Sequence, residues 1–461
     1  MSSHVLTEWN PEDKTFWETK GKAIATRNLW ISIPCLFLAF AVWMVWSVVC
    51  VNLPLIGFKY STNQLFWLAA LPGLSGATLR IFYSFMVPIF GGRKWTAIST
   101  ASLLIPAAGI GLAVQDPTTS YSTFLILAVL CGFGGGNFAS SMANISFFFP
   151  KAQKGTALGL NAGLGNLGVS GMQFLVPLVI GTGTFAAVCG PAQMCIIGAE
   201  IKPMWLQNAA FIWIPFVIVS TIAAWFGMND IASAKASFKD QAIIFRRKHN
   251  WLMCWLYLGT FGSFIGYSAG LPLLTKSQFP GINPVKYAFL GPLVGALIRP
   301  VGGWLADKLG GARVTFWNFI LMAGAVVGVL AFLPHGGVGG NFWGFLAMFI
   351  LLFATTGVGN GSTFRMIPII FLTERQREAE GKGEAAKEQA IKDAGKEAAA
   401  VLGFTSAIAA YGAFFIPKSF GTSIAATGGP QTALYGFIAF YGSCILLTWW
   451  YYSRRNAEAP C

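Results

Sequence analysis

The chain has 461 residues, of which 55% are hydrophobic and only 10% charged, with a mean hydropathy of +0.61. Soluble domains carry about 25% charged residues, so this composition excludes a soluble globular enzyme and demands a chain that crosses a bilayer repeatedly. The net charge of +14 is scattered over loops, a distribution that argues against a nucleic-acid-binding surface.

Residues 1–29 are polar, with Trp9, Phe16 and Trp17 expected to lie against the cytoplasmic interface. The first apolar run, 29–53, is too long for the core of a signal peptide and is predicted to be an uncleaved span. Eleven more spans are predicted at 63–90, 95–114, 122–149, 156–181, 208–228, 250–275, 285–308, 313–334, 342–372, 397–425 and 430–452. The expected organisation is an N-terminal six-helix half (1–228), a cytoplasmic loop (229–250) and a C-terminal six-helix half (251–461). A charged stretch at 373–396 is expected to be a solvated helical spacer with i,i+4 pairs Glu378–Lys382 and Glu388–Lys392. With both termini inside, 23 of the 31 Lys and Arg fall in cytoplasmic segments. Five (Lys59, Lys202, Lys276, Lys286, Lys418) fall outside, and three (Arg80, Arg299, Arg365) fall within spans. That asymmetry sets the orientation in a cell inner (plasma) membrane. Five of the eight cysteines are embedded, and Cys189 and Cys195 share an outer loop, where an oxidising compartment would allow a disulfide and free thiols are the preferred reading of the two. No spacing suggests a metal or other cofactor, and a monomer is expected.

The chain repeats itself. Residues 71–80, LPGLSGATLR, align without a gap to residues 290–299, LGPLVGALIR, sharing Leu71/Leu290, Leu74/Leu293, Gly76/Gly295, Ala77/Ala296 and Arg80/Arg299. At the same offset Gly91-Gly92 matches Gly310-Gly311 and Thr96 matches Thr315. A second echo joins GFGGGN (132–137) to GVGNGS (357–362). Two six-helix halves, each with one arginine near the middle of its second span, make the architecture of a two-half transporter whose substrate site lies near the midplane. The segment GGWLADKLGGARV (302–314) resembles the loop motif between spans two and three of a half in the major facilitator superfamily. In the first half Pro88 stands where Asp307 stands in the second, so any gate built on this motif is expected to be lopsided.

Each arginine at mid-membrane costs about 2.5–3.5 kcal/mol on insertion scales. From Arg299 to Lys308 is about 13 Å of helix, too far for comfortable snorkelling. None of the 17 acidic residues falls in the interior of a span. Arg80 and Arg299 therefore call for an anion from elsewhere, and substrate binding is the preferred reading. Guanidinium is flat and donates bidentately to planar oxyanions. Asn137, Asn144, Asn161, Asn166 and Asn360, lying in glycine-rich faces, are candidate donors or joints between helices. Arg365 lies about 10 Å from the cytoplasmic end of its span. Snorkelling is preferred for it over recruitment of anions at the inner mouth.

The stretches GFGGGNFASSMANISFFFPKAQKGTALGLNAGLGNLG and GVGNGSTFRMIP resemble the paired signatures of the nitrate/nitrite porter family of the major facilitator superfamily. The resemblance runs from NLWISIPCLFLAFAVWM to FFIPKSFG and so covers nearly the whole chain. It implies an all-α membrane protein of twelve transmembrane helices, with nitrate and nitrite as its partners besides lipid. It implies anion binding by Arg80 and Arg299, with Asn166 and Tyr257 as further ligands. Phe138 and Phe261 would close over the anion, and Ser406 would line the path. Signature and gating roles would fall to Gly134, Gly136, Asn137, Gly163, Gly165, Gly359, Asn360, Gly361 and Asp307. Close relatives often have glutamine where Arg365 stands.

If bound anion neutralises two facing guanidiniums, the halves can close only when loaded, which is the physical recipe for exchange. Proton coupling needs a titratable group in the pathway. His4, His249 and His335 all fall in predicted loops or tails, and no acid is embedded. The expectation is therefore a nitrate/nitrite antiporter and not an enzyme. Proton-coupled nitrate symport is the nearest rival, followed by organophosphate exchange. A membrane anion sensor that no longer transports is the rival of another class, and a channel is disfavoured.

Overall fold

The computed structural model describes residues 4–183, 186–197, 200–234, 242–334 and 339–461. His335 lies outside the described residues. Twelve helical runs carry the fold. They are α1 (Lys14–Ile56), α2 (Thr62–Tyr83), α3 (Gly92–Ala113), α4 (Tyr121–Phe148), α5 (Lys151–Ile180) and α6 (Asn208–Gly227). Next comes α7, formed by Lys248–Tyr257, Leu258–Gly262 and Ser263–Gln278 in unbroken succession. The rest are α8 (Pro284–Leu309), α9 (Gly311–Phe332), α10 (Phe342–Glu378), α11 (Glu384–Thr427) and α12 (Gln431–Ser453). All but α7 are long and apolar enough to cross a membrane. The Gly, Ser, Thr and Tyr of α7 make it less apolar, for a reason that emerges at the site. Short strands complete the described residues. Here β1 (Val5–Leu6) pairs in parallel with β4 (Asp230–Ile231), and β2 (Gln193–Ile197) pairs antiparallel with β3 (Glu200–Met204).

Local chemistry sets where helices begin. Ser61 and Gln64 form a capping box at the start of α2, and Asn341 caps α10 by accepting from Trp343 and Gly344. The duplicated glycine pairs have one backbone in common. Gly91 and Gly310 have φ of +89° and +90° at the heads of α3 and α9, a conformation that only glycine adopts cheaply. In α2 the carbonyl of Pro72 accepts from Trp43 Nε1 at 2.6 Å.

The chain forms two compact units. The first comprises Met1–Lys235 with Gly266–Leu293 and Ala413–Ala426, and the second comprises the remainder. In the first, α1 packs against α4 and α5, α2 against α4, and α3 against α6. Glycines make this closeness possible: a Cβ at Gly134 would strike the Ala39 carbonyl, and one at Gly168 would strike that of Phe37. In the second unit α9 packs on α10 and α12, and α10 on α11. Trp17 is buried among Ile145, Phe148, Phe149 and Ala157, while Trp9 Nε1 donates to the Phe147 carbonyl. The N-terminal segment is thus wedged into the protein, and the interfacial position expected of Trp17 is corrected. Phe148 and Phe149 at the end of α4 offer its ring a better apolar partner.

Basic helix ends are tied by acids from elsewhere in the sequence. In the first unit Asp230 supplies the carboxylate that Pro88 cannot. Its Oδ1 accepts from Arg93 N at 2.8 Å and its Oδ2 from Arg93 Nε at 3.3 Å, both residues being buried. In the second unit Asp307 of α8 pairs with Arg365 of α10. Arg365 thus has an acidic partner on a neighbouring helix, with both side chains still half exposed. The charged stretch is likewise more than a spacer. Glu378 pairs with Arg247 and Arg375 instead of Lys382, and the buried Glu397 is held by the same two guanidiniums. Glu388 and Lys392 form no ion pair among the described residues. His249, expected in a loop, sits buried in the first turn of α7 with Nδ1 2.8 Å from the Tyr452 hydroxyl.

Removing one partner of a buried ion pair strands the other. Asp230→Ala is expected to lower stability by about 3–5 kcal/mol, read as a fall in the thermal unfolding midpoint in detergent. Asp230→Ala combined with Arg93→Met is expected to recover part of the loss. An unchanged midpoint in the single variant would show that the pair does not secure the α3–α6 junction.

Candidate functional site

In the first unit the candidate site is built by α1, α2, α4 and α5. Arg80, one turn before the end of α2, is fully buried. Its Nε donates to the carbonyl of Gly135 on α4 at 2.9 Å. The guanidinium lies over two rings, with its carbon 4.8 Å from the centroid of Phe138 and 5.3 Å from that of Trp43. Such stacking is worth about 2 kcal/mol or more when desolvated, which offsets much of the insertion cost of the charge. The glycines of α4 bring these groups together. A Cβ on Gly135 would meet Trp43 and the Gly76 Cα, and one on Gly136 would come within 2.7 Å of the Tyr83 ring. Phe138 also meets Phe40 edge-on at 6.0 Å, so its ring is fixed before it covers Arg80.

Helix α5 contributes Asn166, which is buried with an Oδ1 that finds no partner among the described residues. A half-turn of the amide presents Nδ2–H in that place, so the group can donate to an oxyanion. Gly165, beside it, packs on Leu36 at a would-be Cβ distance of 2.6 Å. Gly163 is different: nothing lies within 4 Å of where its Cβ would be, so no close packing explains it. Three asparagines act as joints. Asn161 donates to Ser141 Oγ at 2.8 Å, Asn144 abuts Gly92, and Asn137 donates to the Ser99 carbonyl at 3.4 Å. Asn137 also lines a small cavity with Ser32, Thr96, Thr100 and Ser140.

In the second unit α7, α8 and α10 build a counterpart. Arg299 Nη2 donates to the Tyr257 hydroxyl at 3.3 Å, and its guanidinium carbon lies 5.3 Å from the Phe364 ring centroid. Nη1 of Arg299 is buried and has no hydrogen-bond partner among the described residues. Tyr257 stands at the head of a π-helical turn, Leu258–Gly262, a feature that recurs at functional sites. The ring of Phe261, within that turn, stacks on Tyr257 at 5.5 Å and 12°. The small residues that weaken the hydropathy of α7 serve this geometry: Gly259 and Gly262 admit Phe319 and the Ala409 carbonyl closely. On α10 a Cβ at Gly359 would strike Thr260 and Asn318, and one at Gly361 would strike the backbone of Arg299 and Gly303. These glycines therefore fix the height of Arg299 against α10. Asn360 is buried with a free Oδ1 among the described residues. Ser406 is buried on α11, where its hydroxyl donates to Gly403 O.

The structure thus groups Arg80 with Phe138 in one unit and Arg299 with Tyr257 and Phe261 in the other. It adds Trp43 and Phe364, which the sequence did not single out, because an aromatic in a span looks like any lipid-facing or packing ring. The one available signal was that Phe364 follows the second glycine motif by two residues, as Phe138 follows the first by one.

The Major Facilitator Superfamily model matches residues 35–383. The Escherichia coli (strain K12) nitrate/nitrite transporter NarU is 55% identical over 458 residues, covering 99% of this chain and 97% of that one. The chain belongs to the nitrate/nitrite porter family of the Major Facilitator Superfamily. The probable nitrate/nitrite antiporter NarK2 of Thermus thermophilus is 43% identical, covering 99% and 98%. The nitrite extrusion protein of Bacillus subtilis (strain 168) is 26% identical, covering 90% and 92%. As a member of this superfamily the chain is a multi-pass membrane transporter, not an enzyme.

Trp43 stacks on Arg80 and also satisfies the Pro72 carbonyl. Trp43→Phe keeps a ring but loses the N–H, so stability is expected to fall by about 1–2 kcal/mol, measured by thermal unfolding in detergent. An unaltered midpoint would show that the Pro72 carbonyl finds another donor.

Proposed function

We propose that this transporter exchanges nitrate for nitrite across the inner (plasma) membrane by alternating access, with both termini cytoplasmic. The observation that carries the reading is a guanidinium in each unit set against apolar surroundings, Arg80 fully buried and Arg299 partly buried with its Nη1 out of solvent. Each is backed by an aromatic face and held by a neutral acceptor, the Gly135 carbonyl for Arg80 and the Tyr257 hydroxyl for Arg299. A carbonyl and a phenol hold a guanidinium without cancelling its charge. The anion is expected to be small and planar. Guanidinium edges match its oxygens bidentately, and the ring faces of Phe138 and Phe261 suit a weakly hydrated surface. Close relatives named for nitrate and nitrite support the same chemistry.

In this reading Arg80 and Arg299 hold one anion, with Asn166 and Tyr257 as additional donors. Ser406 lines the path. Each binding event replaces one monovalent anion by another, so exchange is electroneutral and needs no proton. Two unneutralised guanidiniums sharing one low-dielectric site would repel strongly, so in this reading the empty carrier reorients slowly. Nitrate entering and nitrite leaving is the direction that a cytoplasmic supply of nitrite would drive.

Vesicles containing the purified protein, loaded with nitrite, are expected to take up external nitrate about tenfold faster than empty vesicles, with no acceleration by an inward proton gradient. Equal uptake into empty vesicles under a proton gradient would replace exchange by proton-coupled symport. No uptake of nitrate in either arm, with binding retained, would favour a sensor.

The guanidinium fork is the second test. Arg80→Lys and Arg299→Lys keep the charge and lose the fork. Nitrate affinity is expected to fall about 10- to 100-fold in each, the range for one charge-assisted hydrogen bond, by calorimetric titration in detergent. Near-normal affinity would remove that arginine from the site.

A further inference from the structure

Gln173 lies on α5 seven residues beyond Asn166, about two helical turns along the same face. It is fully buried, and its Nε2 donates twice: to Ser47 Oγ on α1 at 3.0 Å and to the backbone carbonyl of Ser268 on α7 at 2.8 Å. Its Oε1 is buried without a hydrogen-bond partner among the described residues.

The two bonds differ in kind. Ser47 and Gln173 come from the same sequence half, whereas Ser268 comes from the other, in a segment that packs into the first compact unit. The surroundings repeat this pairing between sequence halves. Phe174, next to Gln173, meets Phe289 edge-on at 5.1 Å, Phe66 lies 6.4 Å from Phe420, and Lys418 donates to Asn63 at 3.2 Å. A Cβ at Gly73 would strike the backbone of Ala413. Of these contacts only the one made by Gln173 is a buried side-chain-to-carbonyl hydrogen bond with a second acceptor, Ser47, already in place. If Ser268 withdraws, Nε2 keeps Ser47, so release leaves no amide wholly stranded.

We propose that Gln173 is a positioning residue of the transport cycle, a latch that holds Ser268 in the form closed at the outer ends and lets go when that side opens. The proposal rests on the alternating-access reading above. It predicts that Gln173 sets how often the outer ends part, while contributing nothing to the anion contacts at the two arginines.

The test is hydrogen–deuterium exchange of the whole purified chain, read by mass spectrometry, for wild type, Gln173→Leu and Ser47→Ala. In Gln173→Leu the segments 266–278 and 413–426 are expected to exchange about fivefold faster, the population shift equivalent to one net hydrogen bond of ordinary strength. The second-unit segment 342–372 is expected to exchange as in wild type. Ser47→Ala, which keeps the Ser268 bond, is expected to change far less. Gln173→Asn, one methylene short of Ser268, is expected to behave like the leucine variant and serves in its place if that variant does not fold. Unchanged exchange in 266–278 and 413–426, or acceleration spread equally over both units, would overturn the latch. The readout needs no nitrate, so the latch stands or falls separately from the identity of the anion. Loss of nitrite-driven uptake by the wild type itself would strike the transport reading instead.

Discussion

A cation buried in hydrocarbon is the constraint around which this fold is arranged. Arg80 has no exposed surface, and its charge is tolerated because two aromatic faces and a carbonyl replace water around it. Those replacements need a backbone that comes unusually close, and this explains why α4 carries its run of glycines where α2 crosses it. The same logic, with other letters, operates around Arg299: Gly361 lets α10 reach the Arg299 backbone, and Phe364 of that helix then covers the guanidinium. Charge, ring and glycine are one device used twice.

Neutral partners are as important as the charges. Carboxylates in this chain are used at the basic helix ends, where Asp230 meets Arg93, Asp307 meets Arg365, and Glu378 and Glu397 meet Arg247 and Arg375. There they fasten loops and helix termini. The π-helical turn of α7 belongs to the same division of labour, since it sets Tyr257 and Phe261 in parallel and puts a hydroxyl, not an acid, against Arg299.

Much of this was legible in the sequence for a physical reason: a bilayer forbids most polar residues, so those that remain inside are informative. Arg80 and Arg299 stood out because insertion is costly, and the ungapped repeat linked them. What was not legible depended on neighbours distant in sequence. Arg365 looked alone until Asp307, 58 residues away, proved to lie beside it. Pro88 suggested a missing acid that Asp230 in fact supplies. Asn137 and Asn161 each donate to a neighbouring helix, which the sequence could not show, because an amide in a span looks the same whether it faces a ligand or a serine on the next helix. Trp17 was misplaced because an aromatic beside a basic segment suits lipid headgroups as well as it suits Phe149.

The central claim is that one guanidinium from each unit holds the transported anion. An experimental density map of the nitrate-loaded protein tests it most directly. The account predicts a planar density within hydrogen-bond reach of both Arg80 and Arg299, flanked by Phe138 and Phe261. Anion density elsewhere, or either guanidinium turned onto a carboxylate in the loaded form, would contradict it.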